Sequence, residues 1–289
     1  MAFKLPQPLH AFFSLFPLHT YPPVPYPSKT RVTSPTLWIH PPSSSSSSAS
    51  SPDVGALSSD VECLKWQAYI ALRGVTDIHV RWDVSPDGAL GGKLPNFHVL
   101  DDEAKPKLLP CHLIPDWVDG KVGVTEGALE GYKDEAARDE SRPWVSLLEG
   151  SVHAALILVQ PGPSYFQTLL FPDENTTHPL QTLLNPPPAP LTGLSSIVPA
   201  SGTRISQTSI EIQYREAIAA LSERLGTDKW FLGSAQPTAL DALAFAYIHT
   251  ILNAKDTIRI EVTRRVNLVA WEWRVRNIVR PVFTTVPSS

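Results

Sequence analysis

The sequence predicts a two-part fold, an α/β unit followed by an all-helical domain. Three observations predict it. Short stretches of alternating apolar residues fill the first half, as in Ile78-His-Val-Arg-Trp82. From about residue 130 the apolar spacing switches to three and four, as in Trp144, Leu147, Leu148, Val152, Ala155 and Leu156. The string Thr238-Ala-Leu-Asp241 then opens a long apolar run with the signature of a helix capping box.

Composition sets the outer limits. The 289 residues suffice for one large domain or two small ones, and 43% of them are hydrophobic, enough for a sizeable core. Twenty-nine prolines are about twice the usual share. A net charge of −4 gives no reason to expect nucleic-acid binding. The two cysteines, Cys63 and Cys111, lie far apart without a CxxC pattern, which argues against a disulfide framework or a zinc site. The nine histidines show no HxxxH or HExxH spacing, so no metal ligand is assigned from sequence. The longest aliphatic run, Ala154–Val159, is far short of the ~20 residues of a transmembrane helix. The N-terminus carries only Lys4 before Lys29 and reads as neither a signal nor a transit peptide. Folding in the cytosol, with any membrane contact peripheral, is the expectation.

Residues 1–35 form a proline- and aromatic-rich segment in which Phe12, Phe13, Phe16 and Tyr21 sit among prolines. Such a segment favours extended geometry, and exposed aromatics at this density mark a docking strap, seated either on a partner or on this chain's own domain. The α/β unit is placed at 36–125. It begins with the β-type run Thr36-Leu-Trp-Ile-His40, which Pro41-Pro42 stops. A serine-rich loop, 41–59, is too polar to pack. Asp60 opens an apolar helix that Gly74 ends. Strands follow at Ile78–Trp82 and Leu94–Leu100, and a third apolar run, 107–118, continues as strand or short helix.

The helical domain is placed at 130–289. Lys133–Val159 reads as helix, and 160–203 is a proline-rich insertion too long for an ordinary connection. Ile205–Leu225, Ala239–Leu252 and Val262–Val279 are the remaining helices. Thr238 is the expected cap and Asp241 its reciprocal partner, worth about 1 kcal/mol to the helix start. Residues 255–289 hold seven Lys/Arg against three acids, leaving +4 there and −8 in the rest. Arg274, Arg276 and Arg280 are the cations chosen there as partner-docking residues, on a solvated face or opposite an anionic surface.

Trp230-Phe-Leu-Gly233 followed by Ser234-Ala-Gln-Pro-Thr-Ala-Leu-Asp241 resembles the helical-domain core of the glutathione-transferase superfamily. Val61-Glu-Cys-Leu-Lys-Trp-Gln-Ala-Tyr69, Ser85-Pro-Asp-Gly88 before Leu94-Pro95, Trp144-Val-Ser-Leu-Leu-Glu149, and Asn267-Leu-Val269 with Trp271, Trp273 and Arg274 resemble, in that order, motifs of the metaxin family. Phe16-Pro-Leu-His-Thr-Tyr21 is similar to the start of the fungal metaxin-like receptor subunit of the mitochondrial sorting and assembly machinery. The resemblance covers about residues 12–159 and 205–280. It implies a glutathione-transferase-like fold with a thioredoxin-like N-terminal unit. It also implies a non-enzymatic role without cofactor at the cytosolic face of the mitochondrial outer membrane. The implied partners are the β-barrel insertase, a second metaxin-like subunit and β-barrel precursors.

The departures from a working transferase lie at the thiol site. Where such an enzyme carries Tyr, Ser or Cys after its first strand, this chain has His40-Pro41-Pro42 and the serine tract. The Glu/Gln-Ser pair that holds the γ-glutamyl group falls near Cys111-His112 if residues 107–118 complete the sheet, or on Glu126-Gly127 if 121–126 do; neither supplies the serine. The first alignment is preferred, because it makes Pro95 the cis-proline ahead of the third strand. Cys63 reads as a buried helix cysteine with no base nearby. Cys111 and His112, read as strand neighbours, point to opposite faces. No catalytic residue is assigned.

Overall fold

A computed structural model describes residues 34–42, 57–84, 88–100, 106–123, 131–159, 206–254 and 256–285. The N-terminal aromatic segment, most of the serine tract and the insertion after Val159 lie outside the described residues.

Strand β1 (Thr36–Trp38) leads to helix α1 (Val61–Leu72) and then to β2 (Ile78–Arg81), which runs parallel to β1 with Leu37 opposite Val80. β3 (Asn96–Leu100) pairs antiparallel with β1, and β4 (Pro106–Pro110) antiparallel with β3. The helix α2 (Ile114–Val122) follows β4 and lays Trp117 edge-on against Phe97, centroids 4.7 Å apart. This is the thioredoxin-like order expected from the sequence. The preferred alignment is borne out: the start of the 107–118 run forms β4 at one edge of the sheet before turning into α2, and the Leu94–Pro95 peptide is cis.

One strand was not anticipated. β5 (Phe283–Thr285) returns from the end of the helical domain and pairs parallel with β2, Ile78 opposite Phe283. The sheet therefore runs β4-β3-β1-β2-β5. The signal is the β-branched run Val282-Phe-Thr-Thr-Val286, too short and too close to the helix before it to stand out as a strand.

The helical layer begins with α3 (Glu135–Leu147), capped by Asp134, which accepts from Ala137 N. A wide π-type turn, Leu148–Val152, carries the run into α4 (His153–Val159). After the insertion come α5 (Gln207–Leu225), α6 (Ala239–Leu252), α7 (Asp256–Thr263) and α8 (Val266–Val279). The expected single helix 262–279 is thus two helices. Arg265 is extended at φ −108° and ψ 90°, and its guanidinium turns back onto the Glu261 carbonyl at 2.5 Å. That bond satisfies a carbonyl at the end of α7 and lets the chain change direction before α8.

Helix α6 is the centre of the molecule. It is buried on all faces, from Leu240 to Ile248 without interruption, and it packs along α1 and α8. A helix apolar all round is one enclosed by others. Helix α1 links the two layers: it connects the two parallel strands, lies against α6, and buries Cys63, Leu64, Gln67 and Ala68 completely.

Candidate functional site

The place to test for thiol chemistry is the exit of β1 against the head of α1. Asp60 caps that helix, its Oδ2 accepting from Cys63 N at 2.9 Å. Around it the chain is stitched tightly. Ile39 N donates to Arg81 O at 2.9 Å, and Ser58 Oγ to His40 O at 3.0 Å. Ser59 Oγ donates to Pro41 O at 2.6 Å. The fully buried Gln67 accepts from Ser58 N at 2.9 Å. Two stretches separated by the serine tract are held together by these bonds.

Cys63 sits inside this knot with no exposed surface. Burial pushes its thiol far up, and the Asp60 carboxylate pushes it further; the His40 backbone amide and the Ser58 hydroxyl oppose them only in part. A protonated thiol without access is not a nucleophile. The sequence reading nevertheless needs correction on one point. Cys63 does have side chains beside it capable of accepting a proton: His40, Asp60 and Cys63 each offer an atom within 4.8 Å of the other two. The signal was hidden because the residues come together only once β1 and α1 pair across the serine tract.

Cys111 and His112 also differ from expectation. They lie in a 3₁₀ turn after β4 rather than in a strand, Cys111 half-buried and His112 exposed. Among the described residues the two side chains make no hydrogen bond with each other. Pro95 stands at the entry to β3. The buried Asn96 beside it accepts from Leu90 N at 2.6 Å and donates to Lys93 O at 3.1 Å, which fixes the preceding turn.

The candidate docking residues divide. Phe12, Phe13, Phe16 and Tyr21 lie outside the described residues. Arg274 donates to Lys229 O at 2.5 Å and stands over the Trp230 ring at 5.9 Å. Its charge also favours the ionised form of Asp241, so it is largely committed to its own chain. Arg276 faces the buried Glu272 at 3.7 Å, and that carboxylate also meets His249 Nδ1 at 2.7 Å. Arg280 is half-exposed just past α8. The more open feature of this helix was missed from sequence. Val266, Ala270 and Trp273 fall at helical spacing on the outer face, Trp273 60% exposed.

Thr238 and Asp241 form the expected reciprocal box. Thr238 Oγ1 accepts from Asp241 N at 3.4 Å and donates to Asp241 Oδ2 at 2.7 Å. Asp241 also accepts from Thr238 N at 2.8 Å and Phe231 N at 2.9 Å. Burial raises this carboxyl to about 6 against the pull of those donors. The box anchors the turn Trp230–Gly233 to the head of α6 and is a structural element.

A profile described as glutathione S-transferase, C-terminal domain, matches residues 214–275, from the middle of α5 into α8. No curated protein matches by sequence. Among solved structures, FzlA from C. crescentus aligns at 11% identity over 86% of this chain and 91% of its own, TM-score 0.50. A GST-like protein from Pseudomonas syringae aligns at 12% identity over 88% of this chain and 70% of its own, TM-score 0.49. A glutathione S-transferase from Sinorhizobium meliloti 1021 aligns at 15% over 86% and 92%, TM-score 0.48. The fold is that of a glutathione transferase, a small mixed sheet with helices followed by a helical domain.

Proposed function

We propose that this chain is a non-enzymatic subunit of the mitochondrial outer-membrane sorting and assembly machinery. It would sit peripherally on the cytosolic face, bound to the β-barrel insertase and a second metaxin-like subunit, and receive β-barrel precursors. The observation that carries the reading is the thiol site. Where glutathione activation needs an accessible hydroxyl or thiol held in fixed geometry, the chain offers His40-Pro41-Pro42 and a Cys63 thiol with no exposed surface. Among the described residues at this site the exposed hydroxyl, Ser59, is committed to the Pro41 carbonyl, and a scaffold of this kind is suited to binding. The metaxin-like order of motifs supports this choice of complex, and the outward Trp273 and Val266 on α8 offer apolar contact area for a partner.

Mitochondrial fractionation, alkaline extraction and purification through a tag on this chain test the proposal. Co-purification with a barrel-forming outer-membrane protein, and release at alkaline pH, are expected. Recovery in the cytosol without any barrel protein refutes it. The fold match to the transferases favours a second reading, glutathione-dependent transfer with an unusual site. Calorimetry with glutathione separates the two: a dissociation constant below about 1 mM, about −4 kcal/mol, supports the enzyme and overturns the binding subunit.

A further inference from the structure

The knot between β1 and α1 has three side chains of metal-binding type converging on one point. They are an imidazole (His40), a carboxylate (Asp60) and a thiol (Cys63), each with an atom within 4.8 Å of the others. We propose that His40, Asp60 and Cys63 bind a single zinc ion, which clasps the exit of β1 to the head of α1.

The donor set fits that ion. Imidazole nitrogen with a soft thiolate and one carboxylate oxygen is a zinc combination, whereas magnesium and calcium favour oxygen throughout. A tetrahedral zinc with bonds of about 2.0–2.3 Å holds its ligand atoms roughly 3.3–3.7 Å apart. The three atoms therefore need to close by at most about 1.1–1.5 Å.

Each ligand has an atom to spare. Asp60 uses Oδ2 to cap α1 at Cys63 N, which leaves Oδ1 for the ion. Among the described residues, no hydrogen bond engages the His40 ring. The Cys63 sulfur is enclosed, facing Asp60, Ser58 and the His40 amide. Three protein ligands leave the fourth position to water.

Charge balance explains why such a cluster is tolerable in the protein. Binding replaces the thiol proton: Cys63 S–H and Zn²⁺ give the zinc thiolate and a proton released to solvent. The ion's two positive charges then meet one thiolate and one carboxylate, so the loaded cluster is neutral. The surrounding hydrogen bonds act as the outer support a metal site requires. Ser58 holds the His40 carbonyl and Gln67 holds Ser58, so both approaching backbones are set before any ion arrives. The ion would join residues 40 and 60 directly and close the serine tract as a loop. The clasp is independent of which complex the protein serves.

Cobalt(II) is the probe, because a cobalt thiolate gives a charge-transfer band in the near ultraviolet. Full-length protein stripped with chelator is titrated with cobalt(II) and then back-titrated with zinc. The expected result is one equivalent of cobalt, a thiolate band, and displacement by zinc. Cys63→Ser should abolish the band, Cys111→Ser should leave it intact, and His40→Ala should weaken cobalt binding at least about tenfold. Absence of the band in wild-type protein overturns the proposal, as does a band that follows Cys111. Should Cys63→Ser fail to fold, His40→Ala decides alone, since His40 is only half-buried. Unchanged affinity in that variant overturns the site.

Discussion

Thr238→Ala is the perturbation whose cost the structure resolves best. The hydroxyl has two roles at the head of α6. It accepts from Asp241 N at 3.4 Å, the cap itself, worth about 1 kcal/mol. It also donates to Asp241 Oδ2 at 2.7 Å, a bond to a buried charged group worth about 1.5–3 kcal/mol. Asp241 keeps the amides of Thr238 and Phe231, so the carboxylate is weakened rather than abandoned. The expected loss is about 2–4 kcal/mol, more than a surface cap alone would give, because α6 is enclosed and solvent cannot replace the lost donor. A chain of this size should melt roughly 5–12 °C lower. Urea denaturation and calorimetry of wild type, Thr238→Ala and Thr238→Ser measure it. Serine retains the hydroxyl and should stay within about 1 kcal/mol of wild type. Equal midpoints for wild type and alanine would refute the reasoning. A serine variant as weak as alanine would transfer the effect to the buried methyl group.

Three further outcomes follow from the same frame. Asp241 titrates near 6 when folded against 3.8 in the unfolded chain, so its contribution is fullest below 3.8 and is lost as pH rises through 6; Asp241→Asn should remove up to about 3 kcal/mol of that decline between pH 4 and 7, and parallel pH–stability curves for the two proteins would contradict it. Gly131→Ala places a Cβ 2.7 Å from the Pro237 carbonyl at a φ of +97°, and should cost about 2 kcal/mol or more in urea melts; an unchanged midpoint would show that this loop yields freely. Trp273→Ala, at an exposed site, should alter stability by less than about 0.5 kcal/mol and, on the proposed function, weaken co-purification with the barrel protein; undiminished co-purification would remove Trp273 from the proposed interface.

What was legible in the sequence was what local chemistry decides. Helix α6 came out with its observed limits because Thr238 and Asp241 mark its start and the apolar run marks its length. Asp60 as the cap of α1 and Gly226 at the end of α5 are likewise local, whereas the cis peptide before Pro95 came from the resemblance to the transferase fold. Illegible were the features that distant residues make together. Nothing near Cys63 in sequence announces His40, because the two meet only through the pairing of β1 with β2 and the packing of α1. The commitment of Arg274 to Lys229 and Trp230 could not be read from a count of charges. The split at Arg265 arose from a side chain turning back on the preceding helix, which apolar spacing does not record.

The parallel pairing of β5 with β2 has a consequence for how the molecule is made. Ile78 leaves the ribosome on the order of 200 residues before the Phe283 that lies beside it. Throughout synthesis of the helical domain the outer rim of β2 therefore presents unpaired amides and carbonyls to the cell. The sheet cannot be completed vectorially, domain after domain. Among the described strands, β5 arrives only after α8 has been translated and docked, and its pairing joins an early-made strand to a late-made one in one cooperative unit. Nascent chains halted before residue 283 should then be caught by chaperones that recognise open strand edges, while those released beyond it should not.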